Sequence, residues 1–419
     1  MATTLTTSAR DLAAAAKQAA PYIARATTAV KNAALHALAD GLHAHAAAII
    51  AANNKDLAAA TTLSPALKDR LALNESRIAA MADSARTVAA LSDPVGEIND
   101  LRVMPSGIRV GRMRVPLGVI LAIYESRPNV TADIAMLALK SGNAAILRGG
   151  SEAQHSNAAI GACVRAALRQ AKLPLAAVVV AATSRKMIDD FLACADSIDL
   201  VIPRGGRALI ERVSQKAKMP TLKHLDGNCH VYVDAAADLD KSEQVVINAK
   251  TRRYGVCSAA ESLLVHASVA AAFLPRVAAS LLARGVKLCG CPQTRRIIGG
   301  RQCRVASEED WRTEYLAPML SIKVVPSLTA AIAHINRYGS AHTDAIMTDS
   351  ATASARFLTE VDSASVMVNA STAFADGGEY GLGAEVGIST DKLHARGPVG
   401  LRGLTGEKYI VLGDGHVRD

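Results

Sequence analysis

The stretch "LGVILAIYESRPNVTADIAMLALKSGNAAILRGG" runs from Leu117 to Gly150. Its first eight residues form an unbroken apolar run, followed by the polar loop "ESRPN". An amphipathic run, "VTADIAMLALK", then ends at Ser-Gly, and a second apolar run, "AAILR", follows. An apolar run without polar alternation reads as a strand buried on both faces, and glycine after the last periodic residue stops a helix. The same alternation continues through "SNAAIGACVRAALRQAK", "AAVVVAAT", "RKMIDDFLACA" and "IDLVIPR". Strand–helix repetition of this kind predicts an α/β fold, a parallel sheet covered by helices on both faces, with a dinucleotide-binding domain as the leading reading.

Upstream, residues 8–95 place Ala, Leu and Ile at helical spacing, with breaks expected near "AANNKD" and "LSP". From Leu101, "LRVMPSGIRVGRMRVPLG" alternates apolar and basic residues around Pro-Ser-Gly, as a hairpin does. A second α/β segment is expected from His230 past Gly381 to Thr390. The glycine-rich tail ends in a short apolar strand that would extend the hairpin, in the same subunit or in a neighbour.

Composition narrows the classes. At 419 residues the chain exceeds one ordinary core. Aromatics make up only 3%, so packing falls to Ala, Val, Leu and Ile. Seven cysteines, odd in number and irregularly spaced, do not form a disulfide framework and point to a reducing, cytoplasmic setting. Cys289 and Cys291 lack a second pair at zinc-finger spacing, so no metal site is expected. The N-terminus lacks the basic and apolar regions of a secretory signal, and no apolar run reaches membrane-spanning length; a soluble protein is expected. The formal charge of +9 suits an anionic small molecule or nucleic acid, or serves solubility alone. The basic residues are dispersed, which disfavours a nucleic-acid face.

Four stretches carry chemistry, and most have a plain structural alternative. "IPRGG" (Ile202–Gly206) ends a strand before the helix "RALIERVSQKA". Gly205 and Gly206, beside Arg204 and Arg207, make either a phosphate cradle or an ordinary turn. "LRGG" (Leu147–Gly150) repeats the pattern at another strand end, although the usual GxGxxG is absent. Asn129 in "YESRPNVT" is either an oxyanion donor or a helix cap. Cys257 in "TRRYGVCSAAESLLVH" follows a glycine-containing turn near Arg252 and Arg253, a setting that favours a thiolate nucleophile over an inert buried thiol.

Taken together, "PLGVILAIYESRPNVTADIAMLALKSGNAAILRGGSEA", "LVIPRGG", "HLDGNCHVYVD", "GVCSAAESLLVH", "TEYLAPML" and "ARGPVGLRGLTGEKYI" closely resemble the gamma-glutamyl phosphate reductases, also called glutamate-5-semialdehyde dehydrogenases, of the aldehyde dehydrogenase superfamily. The resemblance covers nearly the whole chain in order. It implies a Rossmann-like cofactor domain (1–100 and 117–229), an α/β catalytic domain (230–390) and a small strand flap for oligomerisation (101–116 and 398–413). It implies NADPH-dependent reduction of L-glutamyl 5-phosphate, the second step of proline biosynthesis, in a homodimer or tetramer with transient contact to glutamate 5-kinase. By resemblance Cys257 is the nucleophile and Asn129 the oxyanion amide. Arg148 and Glu314 contact the cofactor riboses, and Gly205 with Gly206 lines the pyrophosphate crevice. Arg127, Arg253 and Arg396 are candidates for gripping the substrate. Tyr254, Gly255 and Ser258 depart from residues common in relatives, which bears on the turn presenting the thiol.

Hydrolytic aldehyde dehydrogenases carry a Glu base in an ELGG-like motif. The corresponding stretch here, "HLDGNCHV", has no Glu, and Asp226 is a shorter acid. That absence separates the phosphate-dependent reading from the alternative, a hydrolytic NAD(P)-dependent aldehyde dehydrogenase. A minor alternative is a protein that binds anions or nucleic acid.

Overall fold

The computed structural model describes residues 8–418. The chain divides into two compact units. The first comprises the chain through Lys223, Gly381–Gly387 and the residues from Val399 onward; the second comprises His224–Tyr380 and Ile388–Pro398.

The first unit begins with five helices, Ala9–Ala24, Thr28–Ala44, Ala46–Ala59, Pro65–Leu71 and Glu75–Ala90. Ser8 and Asp11 form a capping box at the first, and Thr27, Ser64 and Asn74 cap three of the others, so local sequence sets these starts. The expected break at "AANNKD" does not occur. Those residues lie inside the helix Ala46–Ala59, where Asn53 and Asp56 turn inward and find partners while Asn54 and Lys55 face solvent. Asn53 donates to the Leu71 carbonyl at 2.8 Å, and Asp56 accepts from the Ser156 N–H at 2.8 Å and its hydroxyl at 2.6 Å. The break at "LSP" is present, with Ser64 as N-cap and Pro65 at the first helical position.

The hairpin forms from β1 (Ile98–Val103) and β2 (Arg109–Pro116), and the strand Thr405–Leu412 of the same chain pairs antiparallel with the other side of β2, Thr405 opposite Pro116 and Leu412 opposite Arg109. The parallel sheet follows: β3 (Val119–Tyr124), β4 (Ala144–Gly149), β5 (Val178–Val180) and β6 (Leu200–Arg204), in spatial order β5-β4-β3-β6. All six residues of β3 are fully buried, as an unalternating apolar strand requires. One face is covered by Ala9, Ala13, Ala16 and Ala20 of the first helix with Phe191 and Val213. Small alanines let that helix approach Val119, Leu121 and Ile123 closely. Because the chain goes from β3 to β4 and β5 on one side and returns to β6 on the other, the order reverses between β3 and β6. Open parallel sheets have their ligand crevice at such a point.

The second unit holds seven parallel strands, β7 (Cys229–Val233), β8 (Ala260–His266), β9 (Lys287–Gly290), β10 (Cys303–Val305), β11 (Met319–Val325), β12 (Thr343–Met347) and β13 (Ser365–Val368), in order β10-β9-β11-β8-β7-β12-β13. Alternate residues serve opposite faces. Val231, Val233, Leu263 and Val265 pack with Val246, Phe273 and Val277, while Tyr232 and Leu264 pack with Ile332, Ile335 and Phe357. Among the described residues no helix is long and apolar enough to cross a membrane, and all seven cysteines are free thiols.

Candidate active site

In the first unit, the loops after β3 and β6 meet at the switch point. The Glu125 N–H donates to the Arg204 carbonyl at 3.0 Å, and the Gly206 N–H donates to Glu125 Oε2 at 2.9 Å. Gly206 is the N-cap of the helix Arg207–Lys216, so the terminus marked for phosphate already holds an anionic oxygen. A Cβ on Gly205 would stand 2.3 Å from that carboxylate. These backbone groups therefore fit an anionic oxygen. Arg148, at the end of β4, is only 6% exposed and its guanidinium donates to the Thr183 carbonyl in the loop after β5.

Asn129 opens the helix Asn129–Lys140, but it is not the cap: Pro128 holds that position without a side-chain bond. Its Nδ2 instead donates to Asp133 Oδ2 at 2.8 Å, one turn along. Burial pushes the Asp133 carboxyl up to about 6, against the opposing pull of the Asn129 bond and the charge of Arg204. An amide has two N–H donors, and Asp133 orients the group by taking one. Ser126, at a left-handed φ of 45°, donates its N–H to Glu152 at 2.6 Å, pinning the loop between β3 and this helix.

In the second unit, Cys257 sits half-buried in the turn between the helix Leu239–Thr251 and β8. Gly227 makes this turn possible, since a Cβ there would meet the Cys257 carbonyl oxygen at 2.1 Å and its Cα at 2.5 Å. From below, the Cys229 thiol donates to the Cys257 carbonyl at 3.1 Å, and full burial raises Cys229 well above the usual thiol range, so it remains a neutral donor. Arg252 and Arg253 are exposed at the helix end.

Two histidines stand beside the nucleophile candidate. A ring nitrogen of His224, one of His342 and Cys257 Sγ all lie within 4.8 Å of one another. His224 Nδ1 lies 2.9 Å from the Ile388 carbonyl, which only accepts, so Nδ1 carries the proton and Nε2 the lone pair of the neutral ring. His342 is fully buried, its Nδ1 2.9 Å from Thr343 Oγ1 and 3.7 Å from Cys229 Sγ. His224 opens the "HLDG" stretch that carries no Glu, so an imidazole stands near the thiol there.

Beneath the turn, Lys250 and Glu261 form a fully buried ion pair. Burial lowers the lysine and raises the glutamate, each against the attraction of its partner. Glu261 Oε1 also accepts the Leu316 N–H at 3.2 Å, tying down the loop that carries Glu314. The pair thus fixes both the helix end before Cys257 and the Glu314 loop. Removing one partner from such a pair costs about 3–5 kcal/mol. Of the substrate-gripping candidates, Arg396 is held by Asp362 at 2.9 Å, Arg253 is exposed and Arg127 half-buried. Asn129, Arg148, Gly205 and Gly206 belong to the first unit, Cys257, Glu314 and the histidines to the second.

The aldehyde dehydrogenase family model matches residues 2–288. Among solved structures, gamma-glutamyl phosphate reductase from Thermotoga maritima is 45% identical over 98% of this chain and 100% of its own, with a TM-score of 0.95. The Saccharomyces cerevisiae gamma-glutamyl phosphate reductase is 32% identical over 99% of each chain, at a TM-score of 0.55. An acetylating aldehyde dehydrogenase from Geobacillus thermoglucosidasius, at 18% identity over 98% of this chain and 97% of its own and a TM-score of 0.68, shares the fold. With likeness along its whole length and a cysteine presented on a turn that only glycine permits, the chain belongs to the aldehyde dehydrogenase family and, within it, to the gamma-glutamyl phosphate reductases.

Proposed function

We propose that this chain reduces L-glutamyl 5-phosphate to L-glutamate 5-semialdehyde, releasing phosphate, with NADPH as the nicotinamide cofactor. The observation that carries the reading is 45% identity to a gamma-glutamyl phosphate reductase over 98% of the chain. The Cys257 thiolate attacks the acyl carbon, whose phosphate is a good leaving group, and a thioester forms as phosphate departs. His224 and His342 offer the thiol proton an acceptor close by. Asn129 gives the developing oxyanion its second amide hydrogen, an interaction worth roughly 3–4 kcal/mol per donor. Gly205, Gly206, Arg148 and Glu314 are the residues assigned to hold NADPH, which when bound supplies the hydride that reduces the acyl carbon. The resulting thiohemiacetal at Cys257 collapses to the semialdehyde and the free thiolate.

Assembly as a dimer or tetramer, a cytoplasmic setting suited to seven free thiols, and a transient contact with glutamate 5-kinase that shelters a labile acyl phosphate belong to the same proposal. The test runs the reaction backwards. The purified protein is expected to reduce NADP only when the semialdehyde and inorganic phosphate or arsenate are both present, and Cys257→Ser is expected to abolish turnover while leaving cofactor binding nearly unchanged. Equal turnover without phosphate would reassign the protein to the hydrolytic class.

A further inference from the structure

Cys257, His224 and His342 bring one sulfur and two imidazole nitrogens to within 4.8 Å of one another. We infer that this trio binds a single borderline-soft divalent cation, with Zn²⁺ as the type ligand, and that the bound ion shuts the enzyme off by occupying its nucleophile. The inhibitory half of this inference rests on the proposed function; the binding half does not.

The donor set selects the ion. One thiolate and two neutral imidazoles suit Zn²⁺ or Co²⁺ and are poor ligands for Mg²⁺ or Ca²⁺, which take oxygen. Tetrahedral bonds of about 2.3 Å to sulfur and about 2.0 Å to nitrogen put the donors roughly 3.5 Å apart, so donors within 4.8 Å of one another need to close by at most about 1.3 Å. Cys257 and His224 are half-buried, whereas His342 is fully buried and provides a fixed point. Outer contacts that orient metal-binding imidazoles are already in place. His224 Nδ1 is engaged by the Ile388 carbonyl at 2.9 Å, and His342 Nδ1 lies 2.9 Å from Thr343 Oγ1. The rings pack edge to face, with centroids 5.3 Å apart and planes at 74°. Three protein ligands leave a fourth position for water. On binding, the Cys257 S–H bond breaks, an S–Zn bond forms and the proton passes to solvent, with no change in oxidation state.

The experiment titrates the full-length protein, first freed of metal by a chelator, with Co²⁺ under anaerobic conditions. A thiolate-to-cobalt charge-transfer band saturating at one equivalent is expected, and excess Zn²⁺ should bleach it. Cys257→Ser should lose the band, and His224→Asn should weaken Co²⁺ by about tenfold or more. His342→Asn should do the same, with near-ultraviolet circular dichroism reporting whether that buried substitution still folds; the more accessible His224 carries the test if it does not. No band, or a band that survives Cys257→Ser, overturns the site. In turnover assays, Zn²⁺ at the concentration that bleaches cobalt should abolish activity, and chelator should restore it. Full activity in metal-saturated protein overturns the inhibitory role. A normal band in a protein that never turns over the acyl phosphate, even free of metal, leaves the site standing and sinks the proposed function instead.

Discussion

At Cys257 the decisive neighbour is a missing side chain. With 2.1 Å between a would-be Cβ on Gly227 and the Cys257 carbonyl oxygen, and backbone rather than a flexible side-chain tip in the way, a methyl group can only push the turn aside. Gly227→Ala is expected to lower kcat by roughly 100-fold, the usual cost of a displacement of about 1 Å at a reacting atom, with cofactor affinity preserved. Pre-steady-state acylation would locate the loss, and wild-type acylation in the variant would show that the turn yields without consequence. Cys257 was legible as the candidate from its turn and from the resemblance. His342 was not, because it reaches the thiol only through the pairing of β7 with β12, a long-range register that the residues around it do not encode. His224 stands in "HLDG", but nothing in that stretch by itself marks a histidine as a neighbour of the thiol.

The helix Asn129–Lys140 shows how an element disciplines a functional group. Reading Asn129 as a cap was reasonable by propensity, yet the chain enters the helix through Pro128, and the amide turns along the axis to Asp133. Asp133 is raised from 3.8 to about 6 by burial. A carboxyl raised in the folded state contributes stability that is fully present below about pH 4 and is lost as pH rises through about 6. Relative to Asp133→Asn, the wild-type protein is therefore expected to lose melting temperature between pH 4 and pH 7 and to change little above that. A difference that does not vary with pH would mean the carboxyl titrates as it does in water. The helix Ala46–Ala59 teaches the converse lesson. "AANNKD" looks like a breaker because Asn and Asp compete for backbone hydrogen bonds, but here tertiary partners satisfy them and the helix continues. The buried strands were readable since continuous apolar runs have few other uses; β9 and β10, only four and three residues long, were too short to stand out.

At the scale of the molecule, two parallel sheets and a three-stranded flap follow from the strand–helix repetition and the hairpin seen in sequence. The second unit begins at His224, and the first takes back Gly381–Gly387 and then the chain from Val399. Short-range patterning does not reveal such returns. In the flap, the strand Thr405–Leu412 lies at an edge with Tyr409 68% and Val411 58% exposed. An exposed edge with apolar side chains invites strand addition by another copy. Lysine at both positions is expected to lower the sedimentation coefficient at micromolar concentration while far-ultraviolet circular dichroism stays the same; an unchanged coefficient would place assembly elsewhere.

Closure of that flap also sets a timetable for synthesis. Arg112 and its contact Tyr409 are separated by 297 positions, so at about 5–20 residues per second a ribosome makes β2 roughly 15–60 s before the strand that covers it. Throughout that interval one flank of the nascent hairpin has nothing from its own polypeptide to pair with. Chaperone capture, or premature pairing between neighbouring nascent chains, has its best opportunity there.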